Sequence, residues 1–296
     1  MRVFNYGSLN LDYVYRVSHM VRGGETLAAA GMEIYLGGKG LNQSVALARA
    51  GVPVCHAGCV GEDGHVLTQY LDSQGVDTSL IRTINGKSGH TIIQVDDRAQ
   101  NAILVYGGAN HKQTREQIRQ TLDTSNPGDI LMLQNEINES IYLMEEAKRR
   151  GLRLVVNPSP MDEQIRQAPL ETADYILINE TEGNAISGQK ETSAILDWFS
   201  VHSPKTAVLL TLGEAGAVYQ DEKGRITQKA FSVVAVDTTA AGDTFTGYFV
   251  AGLVRGMEME EILRQCAAAS ALAVTRNGAA PSIPSKEEVD RFLTGR

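Results

Sequence analysis

The feature that most constrains the fold is a regular alternation of short apolar runs with longer amphipathic stretches between residues 52 and 212. Runs of this kind predict strands, and the stretches between them predict helices. The connections are short, and the chain shows neither a linker nor an internal repeat. Strands that alternate with helices form parallel βαβ units, so an α/β fold with a mostly parallel sheet is expected. The predicted strands are Val3 to Leu9, Val54 to Val60, Ile130 to Gln134, Leu152 to Asn157, Tyr175 to Ile178 and Ala207 to Leu212, and the predicted helices are Gly64 to Gln74, Ile141 to Arg150, Ile195 to Val201, Ile262 to Val274 and Lys286 to Phe292.

The stretch from Val236 to Gly247 predicts an anion site. Val233 to Val236 is a β-branched run that predicts a short strand, and helical spacing begins by Phe245. The first amides of a helix lack internal partners and the helix dipole is positive there, so the small residues Ala240, Ala241 and Gly242 would let a phosphate reach bare backbone.

Asp243 lies at the same predicted helix start, and two interpretations of it stand side by side. The carboxylate could cap its own helix, which is a frequent use of aspartate. Alternatively, it could accept the proton of a hydroxyl that attacks a phosphoryl group docked on the amides.

Further polar residues stand where predicted strands end: Asn10, Asp12, Glu136, Asn157, Asn179, Glu182, Thr211 and Gly213. Ligands in open α/β sheets bind beyond the carboxyl ends of strands, so these residues are candidates for one site, although each alone could be a cap or loop residue. A glycine cluster, Leu36 to Ser44, opens another helix. It matches neither the Walker loop nor the dinucleotide fingerprint.

Composition narrows the classes of partner. With 296 residues, 43% hydrophobic and 21% charged, and a net charge of -8, the chain suits a globular protein rather than one that binds nucleic acid or an anionic membrane. No secretory signal or membrane-spanning stretch is evident, which favours a cytoplasmic location. Cys55, Cys59 and Cys266 suit buried free thiols better than disulfides, and a metal site at Cys55 and Cys59 would lack further ligands.

Two motifs resemble signatures of the ribokinase-like (PfkB) carbohydrate kinases. The residues from Asp237 to Gly247 resemble the C-terminal signature, and Gly37, Gly38 and Asn42 resemble the N-terminal one. The resemblance extends from Gly7 to Pro284. It implies a three-layer sandwich in a single domain, residues 1–296, with a small β lid formed by residues of about 12–36 and 90–106. In this family two lids cover each other, which implies a homodimer.

The resemblance also implies roles for individual residues, with ATP, Mg²⁺ and a monovalent cation such as K⁺ as cofactors. Asp243 would be the catalytic base beside the Ala240, Ala241 and Gly242 backbone. Asn10, Asp12, Gly38, Lys39, Asn42 and Glu136 would bind the sugar together with Asp243. Asn179, Thr211, Gly213 and Gly242 would line the nucleotide site and Glu182 the Mg²⁺ region, while Asp237, Thr239, Ala273, Arg276, Gly278 and Ser282 would surround the monovalent cation.

The substrate expected from this pattern is a small neutral sugar, with ribose phosphorylated at its primary hydroxyl. Glu136 beside Asp12 would repel a sugar that already carries phosphate. Other substrates of the same fold (fructose, ketodeoxygluconate or a nucleoside) and a silent sugar-binding protein remain as alternatives. His90 and Thr91 make the predicted lid more polar than in typical ribokinases.

Overall fold

The computed structural model describes residues 1–98 and 100–295. Its main element is a nine-stranded sheet in which seven neighbouring strands are parallel and two strands at one edge are antiparallel. The parallel part confirms the α/β prediction. In spatial order the strands are β13 (Gly224–Gln228), β12 (Ala217–Asp221), β11 (Ala207–Thr211), β10 (Tyr175–Asn179), β9 (Arg153–Asn157), β8 (Ile130–Gln134), β1 (Val3–Tyr6), β4 (Val54–Val60) and β5 (Asp77–Thr83).

Helices cover both faces of this sheet, which makes the expected three layers. Two apolar cores result, one on each face, and β1 contributes Val3 to one core and Phe4 to the other because successive strand residues point in opposite directions. One layer contains α1 (Lys39–Arg49), α2 (His65–Ser73), α8 (Ala241–Arg255), α9 (Met259–Ala273) and α10 (Lys286–Thr294). The other contains α3 (Arg115–Leu122), α4 (Ser140–Arg149), α5 (Glu163–Arg166), α6 (Glu180–Ser187) and α7 (Thr192–His202).

A smaller sheet stands apart from the large one. Its order is β3 (Gly31–Gly37), β2 (Asn10–Arg16), β6 (Gly89–Val95) and β7 (Asn101–Tyr106). Residues of β7 are exposed along the whole strand, including Ile103, Leu104 and Val105. The described residues of the segments predicted as a lid thus form a sheet with a large uncovered apolar surface.

Two sequence-based predictions about strands are wrong. Residues 233–236 form no strand, because β13 is already the sheet edge and no strand lies beyond it to pair with them; Val234 is 85% exposed. The first strand ends at Tyr6 rather than Leu9, because the Gly7 amide donates to the Ala57 carbonyl and the chain then turns towards the smaller sheet.

The three cysteines are buried free thiols. Within residues 1–98 and 100–295, no helix combines the length and the apolar character that a bilayer crossing requires.

Candidate active site

The site begins where helices α1 and α8 start side by side. Gly247 allows their close packing, since a Cβ there would lie 2.3 Å from the Ala46 Cβ. Asp243, in the first turn of α8, is 7% exposed and turns its carboxylate towards α1. There Asn42 Nδ2 donates to Asp243 Oδ2 and Gln43 Nε2 donates to Asp243 Oδ1, each at 2.9 Å. Asp243 therefore makes no capping bond to its own helix. The capping interpretation is wrong.

The start of α8 has unpaired donors. Ala240 adopts the left-handed conformation, with φ 58°, which is uncommon for a residue other than glycine. Among the described residues, the Gly242 and Asp243 amides have no backbone or side-chain acceptor, whereas the Ala241 amide donates to the Thr238 carbonyl at 3.3 Å. A Cβ built on Gly242 would meet nothing within 4 Å, so the space above these amides is open to an anion.

Asn10 and Asp12 lie on β2, at the junction of the two sheets. Asn10 Oδ1 accepts from Asn110 Nδ2 at 2.7 Å, which leaves its amide nitrogen as a donor. Asp12 Oδ1 accepts from Thr91 Oγ1 at 2.6 Å, across the parallel pair of β2 and β6. Burial raises the pKa of Asp12, and the Thr91 hydroxyl partly opposes that shift by stabilising the carboxylate.

Glu136 follows β8 and reaches the same place. Its Oε2 accepts from Ser8 Oγ and, at 2.9 Å, from the Lys39 amide. Burial raises the pKa of Glu136, although these donors and the Lys39 charge oppose it. Burial also acts on Lys39 and lowers its pKa, but the nearby charges of Asp243, Glu136 and Glu182 outweigh burial and raise it overall. Lys39 therefore remains the cation between three carboxylates.

The helix that carries Asn42 touches the turn after β1 directly. Gly38 is the cap residue of α1, and a Cβ on Gly40 would lie 2.4 Å from the Ser8 nitrogen and 2.6 Å from the Gly7 carbonyl carbon. Only glycine permits this approach, because backbone atoms on both sides cannot yield. The approach brings the residues predicted to bind sugar, from β2, α1 and the turn after β8, to one edge of the sheet.

A cleft of about 480 Å³ adjoins the start of α8 on the other side. Thr211 and Gly213, both predicted for the nucleotide site, line it together with Ala241 and Gly242. The Ala-rich helix α9 contributes Ala267, Ser270 and Ala271. The amide end of α8 therefore forms a wall of this cleft. Through Asp243, the same turn contacts Asn42, one of the polar residues predicted to bind sugar (Asn10, Asp12, Lys39, Asn42 and Glu136), which we call the sugar-side pocket.

Asn179 and Glu182 cap a helix. Asn179 Oδ1 accepts from the Glu182 amide at 2.9 Å, and Glu182 Oε2 accepts from the Asn179 amide at 3.0 Å, which forms a capping box at the start of α6. Glu182 has a second carboxylate oxygen with no bond to a described residue. Its charge is close enough to raise the pKa of Lys39, so this capping residue faces the site. No cluster of three or more potential metal-ligating His, Cys, Asp or Glu side chains occurs among the described residues.

The loops predicted to hold a monovalent cation are in contact. Asp237 Oδ1 accepts from the Thr239 amide at 2.9 Å, and Asp237 Oδ2 accepts from the Gly278 amide at 2.9 Å. The other predicted residues belong to the same two segments: Ala273 ends α9 and its carbonyl accepts from the Arg276 amide, while Ser282 donates to the Ala279 carbonyl. The Arg276 guanidinium pairs with Glu288 at 2.6 Å; it is positively charged and has no acceptor, so only the backbone carbonyl of Arg276 could bind a cation.

Sequence reasoning missed several residues of the site. Ser8 and Asn110, which hold Glu136 and Asn10, carried no signal, because they act across 128 and 100 residues of sequence. Gln43 follows Asn42 directly near the start of α1, and this position next to the recognised motif was the available signal. His90 was singled out, and its ring lies between those of Tyr13 and Tyr106, with centroids 6.0 and 4.9 Å away.

Comparison with known proteins extends these observations. Residues 2–286 match the model of the pfkB family carbohydrate kinases. The chain is 37% identical to a ribokinase from Haemophilus influenzae, covering 97% of this chain and 96% of that one. It is 34% identical to a ribokinase from Staphylococcus aureus, with 98% and 99% covered. The structure of Arabidopsis thaliana ribokinase complexed with ribose and ATP superposes with a TM-score of 0.88 at 29% identity, over 99% of this chain and 98% of that chain.

Proposed function

The chain belongs to the pfkB family of carbohydrate kinases, and we propose that it transfers the γ-phosphoryl group of ATP to the primary hydroxyl of ribose. The observation that carries this proposal is the position of Asp243. Its carboxylate lies at the start of α8, where unpaired amides can receive a phosphoryl group, and it accepts a hydrogen bond from Asn42, a residue of the sugar-side pocket. A hydroxyl held there would have a proton acceptor on one side and an electrophile on the other.

In the proposed reaction the sugar oxygen forms a bond to the γ-phosphorus while the bond from that phosphorus to the β–γ bridging oxygen breaks. Asp243 takes the hydroxyl proton, and ADP leaves with the bridging oxygen. The Ala241, Gly242 and Asp243 backbone would stabilise the charge on the transferred group, because the amides of Gly242 and Asp243 have no acceptor among the described residues and Gly242 lines the cleft. Thr211 and Gly213 would contact the nucleotide in the adjoining cleft.

Ribose is the sugar that this pocket and the relatives favour. Asn10, Asp12, Asn42 and Glu136 offer amide donors and carboxylate acceptors to neutral hydroxyls, and Gly38 keeps the backbone close. The charges of Asp243, Glu136 and Glu182 act on Lys39, so this single cation would not offset them in favour of a sugar phosphate. The matched relatives from Haemophilus influenzae and Staphylococcus aureus are ribokinases.

Mg²⁺ and a monovalent cation belong to the proposal, and the residues present fit both. Magnesium retains waters and binds mainly through substrate phosphates, so the second oxygen of Glu182 and the Asn179 region suffice without a dedicated cage. One carboxylate, Asp237, with the backbone of Thr239 and the segment from Ala273 to Ser282 suits a large hard cation such as K⁺. When bound, Mg²⁺ would neutralise phosphate charge.

The smaller sheet is proposed to act as a lid over the sugar and to pair with a second copy of the chain, within a single domain. Asp12 and Thr91 belong to that sheet and face the sugar-side pocket. The apolar side chains of β3 and β7 are exposed, with Leu104 67% and Ile34 52% accessible. Such an apolar surface is unusual for a monomer and would be covered in a lid-to-lid homodimer.

The test is a coupled ADP-release assay with ribose, fructose, deoxyribose, ketodeoxygluconate and adenosine, performed with wild type and Asp243→Ala. We expect ribose to give the highest kcat/KM. Asp243→Ala should lower kcat by at least about 10², the usual size of a general-base contribution, while the ribose dissociation constant stays within about threefold. Preference for adenosine would favour a nucleoside kinase, and phosphorylation of nothing would favour a sugar-binding protein. Near-normal turnover of Asp243→Ala would exclude the catalytic role.

A further inference from the structure

Behind Asp243 lies a row of four amide side chains, of which Gln43, Gln134 and Asn5 are buried and Asn157 is half-buried. Gln43 is fully buried and donates from Nε2 to two acceptors, Asp243 Oδ1 at 2.9 Å and Asn157 Oδ1 at 3.1 Å. Its Oε1 accepts from Gln134 Nε2 at 2.7 Å, and that same nitrogen donates to Asn5 Oδ1 at 2.8 Å. Both hydrogens of each of these two amide groups are used, so neither group can turn without losing bonds.

Backbone carbonyls at both ends of the row fix the positions of the oxygen and the nitrogen in each side-chain amide. At one end, Asn5 Nδ2 donates to the Gly40 carbonyl at 2.7 Å, which turns Asn5 Oδ1 towards Gln134. At the other end, Asn157 Nδ2 donates to the Leu177 carbonyl at 2.9 Å, which turns Asn157 Oδ1 towards Gln43. A carbonyl can only accept, so these two anchors propagate a single orientation along the row.

The result at Asp243 is a carboxylate that meets a donor on each oxygen. Asn42 occupies Oδ2 and Gln43 occupies Oδ1. If the Gln43 amide turned over, its oxygen would face the carboxylate and its nitrogen would face the Gln134 nitrogen, which is unfavourable on both sides. The row therefore fixes both the rotation of the carboxylate and its role as an acceptor.

We propose that Gln43 is a positioning residue for phosphoryl transfer: it orients the Asp243 carboxylate towards the attacking hydroxyl, and Gln134 and Asn157 hold Gln43 in that orientation. The inference rests on the proposed function, in which Asp243 is the base. Gln43 makes no contact with the open face of the pocket, because it is fully buried between Asp243, Gln134 and Asn157. Its removal should therefore affect turnover rather than sugar affinity.

The first test is Gln43→Met, which retains length and removes the amide. We expect kcat to fall by about 10- to 100-fold, the range for loss of one hydrogen bond to a charged group, with the ribose dissociation constant from calorimetry within about threefold. The matched control is Gln113→Met, a buried amide that contacts Tyr6 and Cys59 on the other side of the sheet. Its thermal stability should fall comparably while its kcat stays within about twofold of wild type.

The second test is Gln43→Glu, which keeps the shape and exchanges the donor for an acceptor. At high pH the new carboxylate at position 43 would repel Asp243, whereas its protonated form can donate an O–H in place of the lost N–H. The ratio of the kcat of Gln43→Glu to the wild-type kcat should therefore rise at least about fivefold from pH 8.5 to pH 6. A merely structural role predicts a flat ratio. This variant decides the question if Gln43→Met lacks the wild-type circular dichroism spectrum.

These outcomes separate the two levels of inference. If wild type phosphorylates no sugar, or Asp243→Ala turns over normally, the proposed function fails and with it the positioning role. If both behave as expected but Gln43→Met retains kcat, or loses kcat only in proportion to sugar affinity, or the ratio for Gln43→Glu stays flat with pH, the positioning role alone is overturned.

Discussion

The hydroxyl of Thr91 offers the sharpest test of how the sugar-side pocket works. It donates to Asp12 Oδ1 at 2.6 Å, and Thr91 is only 8% exposed. Thr91→Val keeps the branched shape, so β6 retains its strand preference and its packing, and the variant removes one hydrogen bond to a carboxylate. The substitution therefore tests the orientation of Asp12 while the rest of the smaller sheet stays the same.

The size of the effect follows from the charge of the acceptor. A hydrogen bond to an ionised group contributes about 1.5–3 kcal/mol, and Asp12 is half-buried, so the lower end applies and corresponds to about tenfold. We expect the KM for ribose to rise about tenfold and kcat to change less than about twofold. Asp12 would bind sugar hydroxyls equally in the ground state and the transition state, and loss of such uniform binding raises KM alone.

The pH dependence gives the same residue a second readout. Burial raises the pKa of Asp12 and the Thr91 hydroxyl lowers it, so the valine variant should have a still higher Asp12 pKa. In its proposed role Asp12 would accept hydroxyl hydrogens as a carboxylate, and protonation would convert one of its acceptor oxygens into a donor. Ribose affinity should therefore be full at high pH and weaken as the pH falls, and the weakening should begin at a higher pH in Thr91→Val than in wild type.

Coupled ADP-release kinetics at fixed saturating ATP, repeated from pH 5 to 8.5, would measure both quantities. Thr91→Ser keeps the hydroxyl and is the matched control, with KM within about twofold of wild type. The reasoning is refuted if Thr91→Val leaves the ribose KM unchanged, or if kcat falls as far as kcat/KM. Either result would mean that the bond from Thr91 to Asp12 does not control the binding of ribose.

Two further substitutions test the framework of the site. His56 is fully buried, with Nδ1 2.8 Å from Ser44 Oγ, and burial lowers its pKa to about 4 from about 6.5 in the unfolded chain. The neutral imidazole therefore contributes its full stability above pH 6.5, and this contribution is lost as the pH falls towards 4. Between pH 7 and pH 5, the free energy of unfolding in urea should drop about 2 kcal/mol more in wild type than in His56→Gln. Equal drops would contradict the assignment of a neutral buried imidazole. Gly40→Ala would place a methyl group 2.4 Å from the Ser8 nitrogen, so we expect the free energy of unfolding in urea to fall by about 1–3 kcal/mol and the ribose KM to rise at least about tenfold. Gly23→Ala is the control, because a Cβ there meets nothing within 4 Å, and it should change neither quantity. A wild-type ribose KM in Gly40→Ala would show that the turn after β1 does not set the geometry of the sugar-side pocket.

Local patterns predicted the buried centre of the fold and failed at its margins. Ile130 to Gln134 is a continuous apolar run between turn residues, and the strand has those bounds because both of its faces are covered. The edge hairpin of β12 and β13 was missed, since Gln220, Asp221 and neighbouring polar residues hide its period. Residues 233–236 have strand propensity but no neighbouring strand, and a strand cannot form without one.

The same distinction applies to the site. Asp243 was identified from a predicted helix start and Asp12 from a predicted strand end, although Asp12 proves to lie within β2. Asn42 was identified only from the resemblance to the family's N-terminal motif, and in the structure it contacts Asp243. Gln43 contacts Asp243, Thr91 contacts Asp12 and Ser8 contacts Glu136 through hydrogen bonds that depend on three-dimensional packing. A single sequence contains the residue types but not the distances, so supporting side chains of this kind emerge only from the fold.

Asn42 and Asp243 touch across 201 residues of sequence. During synthesis, therefore, the segment that contains Asn42 leaves the ribosome long before Asp243 is made, and their contact can form only when about four-fifths of the chain has been translated. A chain that ends before α8 lacks Asp243, and under the proposed function it would therefore lack the base needed for phosphoryl transfer.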